Sequence, residues 1–381
     1  MRAWTFQGHR QKKKSGEKRC PWSVGWIDPD GIRHSKKIGS RSMAGKSARR
    51  LEGELASGTY RAENRTLWGE FRKEYEGRMG PPRVSPRTWR TVRDVLNHFE
   101  RLVHPGRVES IKTTVIDQYI ATRQTETGHK KARISPATIN RELRHLKAVL
   151  RIAHEWGYLP AVPKVRMLKE PKKLPRYVTP EHFASIYKAC GAARRPEGLG
   201  FSPADYWRAL LTFCYMTGWR ISEPMALRWD DVSLDKGQAL TRFGDNKGGR
   251  DDVAPLHPVV VDHLRKLVEG AIGQPMVFPW PHHERTLWVE FAAIQEAAEI
   301  DLPCRENHKH TDACHRYGFH DLRRAFATMN AERLSADALQ TLMRHKSYLT
   351  TKRYVNMARQ INAAVEKIHV PAFLESELSA D

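Results

Sequence analysis

The stretch His345-Lys346-Ser347-Tyr348-Leu349-Thr350-Thr351-Lys352-Arg353-Tyr354 organises this chain, because it places a histidine and a tyrosine nine residues apart. Arg344 precedes the stretch, and Lys352 and Arg353 lie just before the tyrosine. Positive neighbours favour the phenolate form of a tyrosine, and they also attract a phosphodiester. The pattern therefore predicts that Tyr354 is a nucleophile toward a nucleic-acid phosphate.

One helix is predicted to end at the start of this stretch, and a second is predicted to begin within it. Ser335 can cap a short helix that ends near His345. Thr350 or Thr351 can cap the helix that carries Tyr354. The packing face of that last helix is predicted to consist of Val355, Ala358, Ile361, Val365 and Ile368.

Another helix is predicted to begin near Phe319. Its apolar stripe consists of Phe319, Leu322, Phe326 and Met329. His320 and Arg323 are three residues apart and therefore share another face of the same helix. A histidine and an arginine are thus predicted to lie together beside the core stripe.

Farther upstream, Thr217-Gly218-Trp219-Arg220-Ile221-Ser222-Glu223 predicts a tight junction between two helices. A buried helix is expected from Tyr206 to Met216, and Ser222 can cap the next one, which leaves Arg220 at the junction. Residues 239–255 predict a β-hairpin with a glycine-rich tip. Lys247 lies in that tip, where its ammonium group can reach into a site.

The middle of the chain, residues 62–172, has an all-helical pattern. Ser135 is an N-cap followed by a proline at the first helical position. The core stripe of this helix is Ile139, Leu143, Leu146, Leu150 and Ala153. The other side carries cations that either contact phosphates or are merely solvated: Arg141, Arg144, Lys147 and Arg151. The Pro/Lys-rich segment 163–178 is the best candidate for a linker.

The first 61 residues predict a small basic unit. Trp22, Val24 and Trp26 alternate as in a strand, Asp28-Pro29-Asp30-Gly31 is a turn signal, and a helix is expected from about Ala44. The outward-facing lysines are Lys12, Lys13, Lys14, Lys36 and Lys37. Such a sheet can lie in a DNA groove, or it can be a structural hairpin with a solvated basic tail.

Composition limits the classes of function. The chain has 381 residues, so two or three domains are expected. There are 65 Lys and Arg against 43 Asp and Glu, which gives a net charge of +22 and points to a polyanion such as nucleic acid. No apolar run approaches a membrane span and no signal peptide is evident, so a cytoplasmic location is expected.

The cysteines predict no disulfide framework, because the five of them are scattered and odd in number. One cluster combines cysteine and histidine within twelve residues: Cys304, His308, His310, Cys314 and His315. These residue types bind structural zinc, but their spacing is not that of a standard finger. A polar loop insertion explains the cluster equally, so the zinc hypothesis stays open.

Taken together, the motifs around Arg220, around His320 and Arg323, and from His345 to Tyr354 resemble the tyrosine recombinase (phage integrase) family. The resemblance implies a multidomain α+β fold. Residues 1–61 would be an arm-type DNA-binding domain, a small β-sheet with a helix. Residues 62–172 would be an all-α core-binding domain. Residues 173–381 would be a mainly α catalytic domain with a small antiparallel sheet.

The resemblance also implies an active site consisting of Arg220, Lys247, His320, Arg323, His345 and Tyr354. Arginine forks suit the non-bridging oxygens of a phosphodiester. Tyr354 would attack the phosphorus, form a 3′-phosphotyrosyl link and release a 5′-hydroxyl. Lys247 would be the general acid for the leaving oxygen, His345 would hydrogen-bond the phosphate, and His320 would assist proton movement or position the tyrosine.

The partners implied by the family are double-stranded DNA attachment sites and a homotetramer assembled on DNA, with accessory DNA-bending or directionality proteins as optional helpers. No membrane partner is expected, because no apolar run approaches a membrane span. No metal or cofactor is expected either, because a covalent phosphotyrosyl link conserves the energy of the broken bond. The expected function is site-specific recombination of the integrase type, in a phage or another mobile element. The rivals are a chromosome-dimer resolvase with the same chemistry and a DNA-binding regulator that does not cut.

Two positions depart from the family pattern. Arg344 stands where the family usually has glycine, and it either crowds the site or adds a phosphate contact. Pro224 lies inside the helix expected after Arg220, where a first-turn proline is tolerated.

Overall fold

The computed structural model describes residues 3–9, 11, 13, 16, 20–60, 66–128, 132–171, 175–245, 249–304, 311 and 314–361, with only the backbone for 357–361. The chain divides into two compact units, Met1–Glu170 and Pro171–Asp381. Their boundary lies within the predicted linker segment 163–178. The finer division into domains 1–61, 62–172 and 173–381 stays a prediction. Among the described residues, no helix is long and apolar enough to cross a membrane.

The first unit begins with a three-stranded antiparallel sheet in the order β1 (Ala3–Gln7), β2 (Trp22–Ile27) and β3 (Arg33–Gly39). The predicted turn joins β2 to β3: Asp28 Oδ1 accepts hydrogen bonds from the N–H groups of Asp30 and Ile32. The sequence patterns did not predict β1. Its five residues carry no turn signal, and its pairing with β2 bridges a long separation in sequence.

One helix, α1 (Arg41–Ala56), covers this sheet. Ser40 caps the helix, which therefore begins three residues before the predicted Ala44. A small apolar cluster joins sheet and helix through Ala3, Val24, Ala44 and Ala48. The predicted strand, turn and helix of this region are thus present, with an extra strand at one edge.

Among the described residues, the rest of the first unit has four α-helices: α2 (Trp68–Met79), α3 (Pro86–Val103), α4 (Thr113–Thr125) and α5 (Pro136–Glu155). Ser135 caps α5 and accepts a hydrogen bond from the Thr138 N–H, as its sequence predicts. The predicted stripe of α5 is completely buried, from Ile139 to Ala153. The same core includes aromatic residues of α2 and α3, among them Trp68, Phe71 and Phe99.

The second unit has seven helices among its described residues: α6 (Pro180–Lys188), α7 (Pro203–Thr217), α8 (Pro258–Glu269), α9 (Glu284–Ala297), α10 (Phe319–Asn330), α11 (Ala336–Met343) and α12 (Tyr348–Ile361). A second antiparallel sheet has the order β4 (Val232–Ser233), β5 (Gln238–Thr241) and β6 (Asp252–Pro255). The strands β5 and β6 form the predicted hairpin, with Leu240 opposite Val253. The whole is an α+β fold with a helical majority.

An aromatic core holds the helices of the second unit together. Trp207 on α7 lies parallel to Phe291 on α9 and to Phe319 on α10, with centroid distances of 6.1 and 6.2 Å. Leu322 of the predicted α10 stripe is fully buried in the same core. This packing fixes α10, which carries His320 and Arg323, against α7, which leads to Arg220.

Two local predictions are wrong. No α-helix follows Arg220, because the backbone forms a turn and then a 3-10 helix, Pro224–Ala226, so that Ser222 caps nothing there. The last helix begins at Tyr348, so neither Thr350 nor Thr351 is its cap. Thr351 is instead fully buried, and its hydroxyl contacts His345.

Candidate active site

Arg220 projects from the turn that follows α7. Gly218 ends that helix with φ of 64°, and a Cβ atom there would lie 2.6 Å from the Phe326 ring, so the turn requires glycine. The Arg220 N–H donates to Glu223 Oε2 at 2.7 Å, and Arg220 Nη1 lies 3.3 Å from Glu223 Oε1. The Arg220 side chain remains 32% exposed. Its guanidinium can therefore meet an external anion.

Arg323 holds the centre of the site together. It is 1% exposed, and its two Nη groups donate to the carbonyl oxygens of Gly218 and Met343, each at 2.5 Å. Burial, followed by the positive charge of Arg220, lowers the pKa of Arg323 to about 10. The side chain stays protonated at neutral pH. It ties the turn before Arg220 to the turn before His345.

His345 and Tyr354 lie side by side with nearly parallel rings. The ring centroids are 5.8 Å apart and the planes differ by 10°. His345 Nδ1 is 3.0 Å from the Thr351 hydroxyl, and the backbone of His345 bonds to Gln340 in both directions. Burial lowers the pKa of His345 to about 4, with further lowering from Arg323 and Arg220. The imidazole is therefore neutral at physiological pH.

His320 lies on the exposed side of α10 and does not share the burial of Arg323. Its pKa is lowered by partial burial of the ring and by the positive charges of Arg324 and Arg323. The two residues are one helical turn apart, as predicted, but Arg323 points into the core and His320 to the surface.

Lys247 lies outside the described residues, and so its predicted place in the hairpin tip stays a prediction. The described strands β5 and β6 lead toward that tip. Beside them is a cavity of about 480 Å³, whose lining includes Arg220, Glu223, Arg250 and His345. The hairpin thus borders the space into which Arg220 points.

Arg344 occupies the position where the family usually has glycine, and its backbone is left-handed, with φ of 51° and ψ of 45°. The side chain is only 9% exposed. Its Nη2 donates to Glu223 Oε2 at 2.6 Å, and its Nη1 donates to the Thr241 hydroxyl at 3.0 Å. Its guanidinium carbon lies 4.3 Å from the centroid of the Trp219 ring. Arg344 is therefore bound within the protein.

The sequence analysis assigned no role to Glu223 or Gln340, and it predicted Thr351 only as a possible helix cap. Glu223 contacts two arginines, and Thr351 and Gln340 hold His345. The spacing of Glu223, three residues after Arg220, was a usable signal because side chains so close in a turn can interact. The Thr351 contact carries no comparable signal in the sequence.

The cysteine and histidine cluster is only partly described, because His308 and His310 lie outside the described residues. His315 Nδ1 lies 3.0 Å from the Leu302 carbonyl oxygen and 3.0 Å from Asp301 Oδ1. Within the described portion of the chain, no three metal-ligating side chains form a group. Cys304 and Cys314 are half-buried thiols. The zinc hypothesis therefore stays a hypothesis.

In the first unit, the predicted basic face of α5 is present. Arg141, Arg144 and Arg151 are exposed, and Lys147 is half-buried. All four lie on one side of the helix, opposite the buried stripe. This face is available to a polyanion.

The helix α1 covers one face of the N-terminal sheet, and the opposite face, here named the open face, carries Trp4, Arg33 and Lys37. Gly25 has room for no side chain, because a Cβ atom would lie 2.6 Å from the Trp4 ring. The Arg33 guanidinium lies 5.1 Å from the centroid of that ring. Lys36 pairs with Val24, whose side chain faces α1, so the Lys36 side chain lies on that face. Successive side chains alternate along a strand, and Lys37 therefore projects from the open face. The two exposed lysines therefore point in opposite directions.

Comparisons with known proteins show which family this chain is similar to. The model of the phage integrase family matches residues 176–360. A tyrosine recombinase XerC from Xanthomonas campestris pv. campestris is 30% identical over 253 residues, covering 64% of this chain and 71% of the relative.

Solved structures agree in fold. The lambda integrase dimer bound to a COC′ core site aligns over 92% of this chain and 94% of its own, with a TM-score of 0.58 and 18% identity. The lambda integrase tetramer bound to a Holliday junction has the same coverage and TM-score at 17% identity. At such identities the likeness concerns the fold alone.

The family match spans α6 to α12, the part of the chain that contains the two arginines, His345 and Tyr354. The similarity to XerC extends beyond that region and covers more than two thirds of the relative. The chain belongs to the phage integrase family and is a tyrosine site-specific recombinase.

Proposed function

We propose that this recombinase is of the integrase type, and that it cuts and rejoins double-stranded DNA at attachment sites through a 3′-phosphotyrosyl intermediate on Tyr354. The observation that carries the proposal is the pair of parallel rings, His345 and Tyr354, beside two arginines. Arg323 fixes both turns that present this pair, and Arg220 points into the adjoining cavity.

In the cleavage step, Tyr354 Oη attacks the scissile phosphorus and forms a new O–P bond, while the bond from phosphorus to the 5′-oxygen breaks. The tyrosine loses its proton, and the 5′-oxygen gains one and leaves as a hydroxyl. Lys247 is proposed as the donor to that oxygen, with His320 assisting proton movement or positioning the tyrosine. A 5′-hydroxyl from another strand reverses the step, so rejoining needs no external energy source.

Both arginines are proposed to donate to the phosphate, but the protein holds them differently. Arg220 is accessible and supplies donors to the non-bridging oxygens. Arg323 uses one hydrogen of each Nη group for a backbone carbonyl, so each Nη keeps a second hydrogen for the phosphate. His345 is neutral above its lowered pKa of about 4. With the Thr351 hydroxyl donating to Nδ1, its Nε2–H can donate to the phosphate.

The first unit is proposed to hold the DNA. The face of α5 with Arg141, Arg144, Lys147 and Arg151 would contact the backbone of the core site, because surface cations neutralise phosphates. The open face of the N-terminal sheet, with Arg33 over Trp4 and with Lys37, would contact accessory sites. By analogy with the lambda integrase tetramer on a Holliday junction, this chain would act as a tetramer on DNA.

The N-terminal sheet unit favours the integrase hypothesis over a chromosome-dimer resolvase. The structural alignment with lambda integrase includes 92% of this chain and therefore extends into the sheet unit. The non-cutting regulator is disfavoured because Arg220, Arg323, His345 and Tyr354 are all present and grouped. Removing residues 1–61 tests the integrase hypothesis against the resolvase hypothesis. Binding to accessory sites should weaken, while cleavage at the core site remains measurable.

The decisive experiment uses a nicked suicide duplex that carries the attachment site, identified first by selecting bound sequences from a random duplex pool. The full-length chain should form a covalent protein–DNA adduct, and Tyr354→Phe should form none. Tyr348→Phe, an exposed tyrosine on the same helix, is the matched control and should retain adduct formation. An adduct with the Tyr354→Phe variant would refute the assignment of the nucleophile.

A further inference from the structure

Glu223 is a buried carboxylate shared by two arginines. Its side chain is 2% exposed. Oε2 accepts from the Arg220 N–H and from Arg344 Nη2, whereas Oε1 faces Arg220 Nη1 at 3.3 Å. A buried carboxylate requires a fixed cation nearby, because burial strongly disfavours an uncompensated charge. The question is which of the two arginines provides that compensation.

Arg344 is the more firmly bound of the two. Its contact with Glu223 is the shorter, at 2.6 Å against 3.3 Å for the Arg220 side chain. Thr241 on β5 and the face of Trp219 hold the same guanidinium, and Asp252 on β6 lies 4.0 Å from its Nε. The Arg220 side chain, by contrast, is 32% exposed and contacts Glu223 with a single guanidinium nitrogen.

The left-handed backbone at position 344 indicates that the arginine side chain has a role there. A non-glycine residue in the left-handed region is strained, and glycine would relieve that strain. The side chain leaves this strained position to reach Glu223 and the hairpin strands. The contacts that hold it lie in three separate segments: the turn after α7, β5 and β6.

We propose that Arg344 is a positioning residue: it is the fixed counterion of Glu223, and it thereby leaves the Arg220 guanidinium available to the scissile phosphate. This inference rests on the proposed cleavage by Tyr354. Among the described residues, Arg220 is the other cation in an ion pair with Glu223, so without Arg344 its side chain would turn toward Glu223, away from the DNA. Arg344 itself stays buried and makes no phosphate contact.

The test is the rate of adduct formation in a single turnover at saturating suicide duplex. Arg344→Gly relieves the backbone strain but removes the counterion, so the rate should fall at least about 10-fold, equivalent to about 1.4 kcal/mol in the barrier. Arg344→Lys keeps a cation and should lose less. Glu223→Gln keeps an acceptor for the Arg220 N–H without the charge, and it should also lose less than Arg344→Gly.

The discriminating variant is the double change Arg344→Gly with Glu223→Gln. Removing the carboxylate makes its counterion unnecessary, so the double variant should react at least about threefold faster than Arg344→Gly alone. A merely structural link gives no such rescue, because the double variant then reacts no faster than the glycine variant. Chemical denaturation of the wild-type chain and of all four variants confirms that the rates refer to folded chains.

Two outcomes overturn the inference: a wild-type rate for Arg344→Gly, or no rescue in the double variant. Either leaves the proposed function intact as long as the wild-type chain forms an adduct that depends on Tyr354. Absence of any adduct from the wild-type chain would instead overturn the proposed function. The two failures are therefore distinguishable in one assay.

Discussion

Each unit contains a buried arginine–glutamate pair, and the two pairs differ in how completely they are satisfied. In the first unit, Arg123 on α4 grips Glu142 on α5 with two hydrogen bonds of 2.9 and 2.8 Å. Tyr119 donates a third hydrogen bond to Glu142, and Glu126 takes the remaining Nη group of Arg123. These hydrogen bonds raise the pKa of Arg123.

The pair in the second unit is less satisfied. Burial lowers the pKa of Arg344, its backbone is left-handed, and its buried Nε makes no hydrogen bond among the described residues. Its partner Glu223 is shared with Arg220. A closed network in which every donor has an acceptor serves stability. A strained network that shares its carboxylate is typical of a functional site, where one member must remain free for a ligand.

The largest effect is expected from opening the closed network. Arg123→Met leaves the Glu142 carboxylate buried without its cation, so the free energy of unfolding should fall by about 3–5 kcal/mol. Urea denaturation of the full chain measures this. Arg166→Ala, which removes an exposed pair with Asp117, is the control and should change stability by less than about 1 kcal/mol. A loss as small as the control's would show that the network does not hold the helices together.

A second, smaller effect is expected on the stability of the folded chain at acidic pH. His345 has a folded-state pKa lowered from 6.5 to about 4, so the unfolded chain binds a proton there before the folded chain does. Stability is unaffected by this group above about pH 6.5 and falls as the pH drops from 6.5 toward 4, by on the order of 2 kcal/mol. The carboxyl of Glu126 in the first unit has a pKa lowered to about 2, chiefly by its hydrogen bond to Arg101. Its contribution is lost only between about pH 4.5 and 2.

Denaturation midpoints between pH 7 and 4.5 check this difference between the units. The variant His345→Gln should show a flatter pH dependence than the wild-type chain in that range. Glu126→Gln should keep the wild-type dependence there, because its carboxyl titrates lower. Equal slopes for wild type and His345→Gln would contradict the assigned protonation of the histidine.

The smallest effect on stability is expected at the surface beside the closed network. Arg144 lies two residues from Glu142 on α5 but is exposed, so Arg144→Ala should change stability by less than about 0.5 kcal/mol. The same change should weaken core-site binding and reduce the slope of affinity against salt by about one counterion. Fluorescence anisotropy at several salt concentrations measures this, with Arg78→Ala on α2 as the control. An unchanged salt slope would remove Arg144 from the DNA contacts.

Much of the framework follows from local patterns. The stripe from Ile139 to Ala153, the turn at Asp28 and the hairpin around residues 239–255 are all present as predicted. Each depends on residues a few positions apart, whose periodicity or turn chemistry can be read directly. The first strand, β1, has no such local signal and was missed.

The failures near the site have a common cause. Thr351 has the residue type of a helix cap but contacts His345, and Ser222 lies within a turn where a helix was predicted. In both places a local preference lost to a tertiary contact or to the compact turn that presents Arg220. Such outcomes are expected where a chain builds a functional site.

The order of Arg220, His320, Arg323, His345 and Tyr354 along the chain identified the candidate chemistry, since it depends only on residue types and spacing. The sequence did not show which guanidinium is accessible. Arg323 is buried by contacts with Gly218, 105 residues away, and Arg344 by its contact with Glu223, 121 residues away. All arginines carry the same charge, so only the segments that fold around each one decide how many of its donors the protein uses and how many remain for DNA.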